Sequence, residues 1–96
     1  MLEAFITIIQ TVQNKITDDS DVVWTRYATP AELLADLDVF IQQLKAGNAN
    51  CLRQLDTLFA PTGSFQELAI SNGWGDEYIR LAEEFDKLYA SMKVKD

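Results

Sequence analysis

The sequence predicts an all-α fold, a compact four- to five-helix bundle formed by a single domain over residues 1–96. Apolar residues recur every three or four positions along most of the chain, which is the spacing of one helix face. No segment alternates apolar and polar residues as a half-buried strand does. With 96 residues, 48% of them hydrophobic, the chain is long enough for one core and too short for a core plus a deep cleft.

The first helix is predicted over residues 2–16, where leucine, phenylalanine, isoleucine and valine follow the helical period. Its polar face, which includes Gln10, Thr11 and Asn14, is nearly uncharged. Such a face is typical either of dense burial in a core or of a second contact surface, and the sequence leaves both interpretations open.

A loop is predicted next, over residues 17–28, because the apolar period stops and three acidic residues fall within four positions. These acids are Asp18, Asp19 and Asp21. Two large aromatic residues follow, Trp24 and Tyr27. Aromatic side chains in a polar loop either plug the edge of a core, with their polar tips in water, or anchor a binding partner.

The second helix is predicted over residues 30–46. Thr29 and Glu32 have the spacing of a capping box, and Pro30 suits the first helical position. Gly47 is expected to end the helix in the left-handed conformation that glycine adopts without strain.

The third helix is predicted over residues 49–59, with Asn48 or Asn50 as its N-cap and Pro61 as the residue that stops it. Because the link from the second helix is short, we expect these two helices to form an antiparallel hairpin.

The segment LFAPTGSFQELAISNGWG, residues 58–75, concentrates turn and cap residues. Gly63 is expected to take a positive φ in a tight turn. Ser64 and Glu67 have the spacing of a second capping box, which predicts a short helix over residues 64–72. The residues of that helix expected to return to the core are Leu68 and Ile70.

Asn72 and Gly73 are expected to form a left-handed cap at the end of the short helix, and a final helix is predicted over residues 76–93. Trp74 lies between two glycines at this corner. It either pins the hinge from inside or contacts a partner together with Gln66 and Asn72.

Residue types that usually carry catalysis are scarce. The chain has no histidine and a single cysteine, Cys51, so no histidine-based nucleophile, zinc site or internal disulfide is expected. Cys51 is expected to be a small core or boundary residue, since no base lies near it in the sequence. Asp36 and Asp38 point about 200° apart on a helix, so we expect both to be solvated and not to share a metal ion. We predict no cofactor, no catalytic residue and no enzyme.

The net charge of −7 argues against nucleic acids and anionic membranes as partners. It indicates either a basic protein partner or ordinary solubility. No apolar run reaches the length of a membrane span, and residues 1–15 lack the basic start of a signal peptide. With one cysteine and no such signal, a cytoplasmic location is expected.

Residues 58–86, LFAPTGSFQELAISNGWGDEYIRLAEEFD, resemble the C-terminal signature of a group of small uncharacterised bacterial proteins. The shared pattern is L-F-A-P-T-G-x-x-Q-E, followed by G-W and a closing helix. The resemblance implies a bacterial helical domain and carries no catalytic residues with it.

These exclusions favour a protein-binding inhibitor, of the kind represented by cytoplasmic immunity proteins that neutralise a bacterial toxin. The predicted contact residues are the acidic loop with its aromatics, the corner residues and the acids of the last helix: Asp18, Asp19, Asp21, Trp24, Tyr27, Gln66, Asn72, Trp74, Asp76, Glu77, Glu83 and Glu84. The alternative is a regulatory or structural module that forms a homodimer through the first helix. A small enzyme is the third, less favoured hypothesis.

Overall fold

A computed structural model of the chain describes residues 2–23, 25, 27–60 and 63–94. Within these ranges the chain forms five α-helices and no strand, which confirms the predicted fold class. The helices are α1 (Glu3–Lys15), α2 (Pro30–Lys45), α3 (Leu52–Phe59), α4 (Ser64–Ser71) and α5 (Gly75–Val94). The largest difference from the predicted bounds is at the start of α3.

The helices form two groups that share α5. In the first group α1 packs against both α2 and α5, and in the second α3, α4 and α5 pack against one another. The rings of Phe5 and Phe85 meet edge to face at 5.5 Å, and Lys15 at the end of α1 forms an ion pair with Glu77 at the start of α5. Helices α1 and α5 are therefore antiparallel.

The predicted hairpin of α2 and α3 is wrong, because the backbones of these two helices do not lie side by side. The apolar stripe of α2 is covered by α1, so α3 buries its own stripe against α4 and α5. Gly47, with a φ of 82°, turns the chain away at the end of α2. The two helices still touch where the Cys51 thiol lies 3.9 Å from the Phe40 carbonyl oxygen.

The predicted cap of α2 is present. The Thr29 hydroxyl accepts a hydrogen bond from the Glu32 amide at 3.2 Å, and the Glu32 carboxylate accepts one from the Ala28 amide at 3.3 Å. The predicted asparagine cap of α3 is wrong: Cys51 occupies that position without a side-chain bond to the helix. The Asn48 side chain instead accepts from the Asn50 amide at 2.9 Å, which stabilises the turn between the helices.

The predictions at Gly63 and Ser64 are also wrong in detail. Gly63 is itself the N-cap of α4 and Ser64 is the first helical residue, so the second capping box does not form. The φ of Gly63 is −74°, which any residue adopts. Glycine is required there by close approach, because a Cβ would lie 2.7 Å from the carbonyl oxygens of Thr57 and Leu58 and 2.8 Å from that of Ala60.

The core runs through both groups of helices, and no polar or charged residue of the described chain is buried. Phe59 lies at its centre in the second group. Its ring is 4.8 Å from Phe65 on α4, edge to face, and stacks at 4.7 Å on Phe85 of α5. These contacts hold the short helices α3 and α4 against the long helix α5.

We expect Gly63→Ala to lower the free energy of unfolding by about 1–3 kcal/mol, because its Cβ would come within 2.8 Å of three carbonyl oxygens that belong to the backbone and not to flexible side chains. Urea unfolding measures the change. Gly75→Ala is the matched control, since the nearest atom to its Cβ would be the Ile70 side chain at 3.9 Å. A loss at Gly63 no larger than that at Gly75 would contradict the close approach.

Candidate protein-binding surface

The acidic loop after α1 is fastened to the end of α4 by one side chain, Asn72. Its Oδ1 accepts a hydrogen bond from the Asp21 amide at 2.8 Å, and its Nδ2 donates to the Asp21 carbonyl at 2.9 Å. The same Nδ2 donates to the Leu68 carbonyl at 2.8 Å, within α4. Asn72 thus joins two segments that are 51 residues apart in the sequence.

Short-range hydrogen bonds give this loop a defined shape. The Thr17 amide donates to the Ser20 hydroxyl at 2.9 Å, the Asp19 amide to the Thr17 hydroxyl at 3.3 Å, and the Val23 amide to the Asp21 carboxylate at 3.0 Å. The side chains of Asp18, Asp19 and Asp21 remain exposed. The loop therefore presents three carboxylates from a backbone held at several points.

The start of α5 lies beside this loop. Lys15, two residues before Thr17, forms its ion pair with Glu77, which places the end of α1 next to the first turn of α5. Asp76 and Glu77 are both exposed. Two of the surfaces that the sequence predicts separately, the acidic loop and the first acids of the last helix, are brought together at one end of the molecule. We call this set the acidic end: Asp18, Asp19, Asp21, Asp76 and Glu77.

The two predicted aromatic residues of the loop have different outcomes. Tyr27 is buried, and its hydroxyl donates to Asp36 at 2.9 Å, so it plugs the edge of the core as one of the two predicted roles requires. Trp24 lies outside the described residues. Asp36 is half-buried and not fully solvated as predicted, whereas Asp38 is exposed as predicted and also accepts a hydrogen bond from Gln13 at 2.8 Å.

Trp74 is buried, with 7% of its surface exposed, and its ring meets Tyr78 edge to face at 6.4 Å. Its indole Nε1 is buried and has no hydrogen-bond partner among the residues that the structure describes. Gly73 before it has the predicted left-handed backbone, with a φ of 84°. Trp74 therefore pins the corner from inside, and its indole is not part of the exposed surface.

A groove between α4 and α5 was not predicted from the sequence. It has a volume of about 470 Å³, and Phe59, Tyr78 and Ala82 line it together with two exposed isoleucines. Ile70 is 62% exposed and Ile79 is 55% exposed, so the expectation that Ile70 returns to the core is wrong. The polar residues at the groove are Gln66, Asp76, Glu83 and Asp86. We call this feature the α4–α5 groove.

A signal for the groove does exist in the sequence. The buried residues of α4 are Phe65, Leu68 and Ala69, and Ile70 lies off that stripe. Ile79 likewise lies beside the stripe that contains Tyr78 and Leu81. An isoleucine off the apolar stripe on each of two consecutive helices indicates an exposed apolar surface between them.

Of the two predicted contact residues in the middle of α5, Glu83 lines this groove, whereas Glu84 is exposed and does not line it.

A second hollow, of about 740 Å³, lies at the opposite end of α1. Its apolar lining comes from Leu2 just before α1, Ile6 of α1, Leu44 of α2 and Met92 of α5, and the charged residues Glu3 and Lys45 also line it. The uncharged face of α1 continues from it, with Gln10 and Asn14 exposed. This α1–α2 hollow is the surface to which the homodimer alternative applies.

The chemistry available in the described part of the chain is limited. No group of three or more cysteine, aspartate and glutamate side chains there is placed to hold a metal ion. Cys51 is buried in the core, and burial raises the pKa of its thiol. No helix in the described ranges has the length and apolar character needed to cross a bilayer.

Comparisons with known protein families, with curated proteins and with solved structures give no match. The resemblance of residues 58–86 to the small bacterial proteins therefore stays a prediction. The surfaces of this chain that bear on function are the acidic end, the α4–α5 groove and the α1–α2 hollow.

We expect Asn72→Ala to lower the free energy of unfolding by about 1–2 kcal/mol, because two hydrogen bonds that join the loop to α4 and one within α4 are lost at a partly exposed site. The amide of Asp21 should also exchange with solvent faster. Urea unfolding and amide exchange measure the two effects. Asn48→Ala is the control, since the hydrogen bond that the Asn48 side chain accepts from Asn50 lies within its own turn. Equal effects at the two asparagines would show that Asn72 does not hold the loop.

Tyr78 supplies a pH-dependent test of the groove wall. Its hydroxyl donates to the Phe59 carbonyl at 2.9 Å, and burial, with the negative charge of Asp86, raises its pKa from 10.0 to about 12. The unfolded chain thus loses this proton first, so stability should fall as pH rises from about 10 to about 12. Tyr78→Phe should flatten that fall and cost about 1–2 kcal/mol at neutral pH through the unpaired carbonyl. Urea unfolding across this pH range measures both, and an unchanged slope would contradict the account.

Proposed function

We propose that this protein works by binding a basic protein partner through the acidic end, and that it is a cytoplasmic immunity protein that neutralises a bacterial toxin. The observation that carries the proposal is the Asn72 clamp, which fastens the acidic loop to α4. The net charge of −7 supports it, since the whole molecule attracts a basic partner.

An acidic surface held in one shape is favourable for binding, because less conformational entropy is lost when the partner docks. The carboxylates of Asp18, Asp19 and Asp21 are exposed, so basic side chains of a partner can reach them, and one oxygen of Asp21 also accepts the Val23 amide. Such charge complementarity raises the association rate and selects among partners more than it sets the final affinity. An inhibitor of this kind needs a rigid charged surface and no catalytic group of its own.

A second candidate function is a regulatory or structural homodimer formed through α1. The observation that favours it is the α1–α2 hollow, whose lining is mainly apolar and adjoins the uncharged face of α1. Sedimentation of the purified chain separates the two proposals. A monomer at micromolar concentration favours the inhibitor, whereas a stable dimer that ignores basic proteins favours the second candidate.

The inhibitor proposal predicts that co-expression of this chain protects cells from a toxin encoded beside it. Asp18→Lys combined with Asp19→Lys should abolish that protection and raise the Kd for the toxin by about tenfold or more, because two attractive charges become repulsive. The Kd of the original chain should also rise steeply with salt, and the double variant should show a flatter dependence.

The matched control is the double variant Asp18→Glu with Asp19→Glu, which keeps both charges and should keep protection. Circular dichroism checks that each variant stays folded. Full protection by the lysine variant would show that the acidic end is not the contact surface.

A further inference from the structure

We infer that the α4–α5 groove receives an amphipathic helix from a basic protein, with aliphatic side chains on the groove floor and lysine or arginine side chains along its edge. The inference deepens the proposed function and rests on it in one respect: the helix belongs to the same basic partner that the acidic end attracts.

The apolar part of the groove is the first argument. Ile70 and Ile79 are more than half exposed on adjoining helices, and the Ile70 side chain lies beside Gly75, where a Cβ would be 3.9 Å from it. Isolated exposed aliphatic residues are common, but two of them flanking one groove with Phe59 and Tyr78 at its base make a continuous apolar surface. Covering both isoleucines would remove this surface from water.

The charged edge is the second argument, and it specifies the occupant. Asp76, Glu83 and Asp86 all line the groove. Apart from Tyr78, every titratable residue in the described lining is acidic. Asp76 and Asp86 are ten residues apart on α5, which corresponds to about 15 Å along the helix axis. A partner helix of about three turns matches that length, with basic residues spaced roughly as the three carboxylates are.

A helix suits this surface better than an extended segment. Extended peptides gain affinity by adding a strand to an open sheet edge, and the described chain has no strand. A helix satisfies its own backbone hydrogen bonds and needs only side-chain contacts, which the groove offers. A second copy of this chain fits poorly, because each copy carries a net charge of −7 and the groove itself is acidic.

The test uses a synthetic helical peptide of about four turns with leucines at i, i+3, i+4 and i+7 and lysines on both flanks. Binding is followed by fluorescence anisotropy at low salt, and the contact surface is mapped by amide chemical shifts. We expect saturable binding, with the shift changes on α4 and α5. A peptide with glutamate in place of lysine should bind at least about tenfold more weakly.

Two variant pairs assign the binding to the groove. Ile79→Ser should weaken the lysine peptide by about tenfold, because an apolar anchor contact is lost. Val39→Ser should leave it unchanged, since Val39 is 51% exposed on α2 and does not line the groove. Asp86→Asn should weaken binding about two- to fivefold, as expected for one exposed ion pair, whereas Asp56→Asn on α3 should not.

The inference is overturned if the lysine peptide shows no saturable binding, if the glutamate peptide binds equally well, or if Val39→Ser matters as much as Ile79→Ser. It is also overturned if sedimentation shows a dimer that Ile79→Ser dissociates, because the occupant is then a second copy. If the lysine variant of the acidic end loses toxin protection while Ile79→Ser keeps it, the groove inference fails and the proposed function stands. If the peptide binds in the groove but no neighbouring toxin is neutralised, the groove inference stands and the proposed function fails.

Discussion

Phe59 is the residue on which the arrangement of α3, α4 and α5 depends. Its ring contacts Phe65 at 4.8 Å and Phe85 at 4.7 Å, and its carbonyl accepts the Tyr78 hydroxyl hydrogen bond at 2.9 Å. Helices α3 and α4 have eight residues each, and helices that short are not stable on their own in water. Contacts around this one phenylalanine therefore supply tertiary stabilisation that the local sequence lacks.

The position of both candidate binding surfaces follows from this junction. Because α4 is held against α5, Ile70 and Ile79 flank one groove, and Asn72 at the end of α4 reaches the backbone of Asp21. Gly73 in the left-handed conformation then allows Trp74 to turn inward before α5 begins. The corner at residues 72–75 thus has a structural role. It contributes to function by placing Asn72 beside the acidic loop and the two isoleucines beside the α4–α5 groove.

The acidic end places like charges close together, which is unfavourable for folding. Lys15 reduces this repulsion through its ion pair with Glu77. The loop offsets it further through hydrogen bonds to Asn72 and Ser20, which fix the backbone while the carboxylates stay in water. A surface of this kind loses little stability and keeps its charge available to a partner.

Local signals explain what the sequence predicts correctly. Helix ends are fixed by residues within one turn, so spacing alone identifies them. Examples are the Thr29 and Glu32 pair at the start of α2 and the glycines Gly47 and Gly73 after α2 and α4. The prediction of an α2–α3 hairpin is wrong because α1 covers the apolar stripe of α2, and this packing between distant segments cannot be read from local sequence. The predicted positive φ of Gly63 is wrong for a similar reason. Glycine is required there because the carbonyl oxygens of Thr57 and Leu58 lie too close for a Cβ, not because of the backbone angle.

The most direct test of the account is the hydrogen-exchange footprint of this chain in complex with the basic toxin partner that we propose for it. We predict protection over residues 17–23 and along the groove faces of α4 and α5, with the α1–α2 hollow unchanged. Protection confined to α1 and the end of α2 would contradict the account, because the acidic end and the α4–α5 groove would then lie outside the interface.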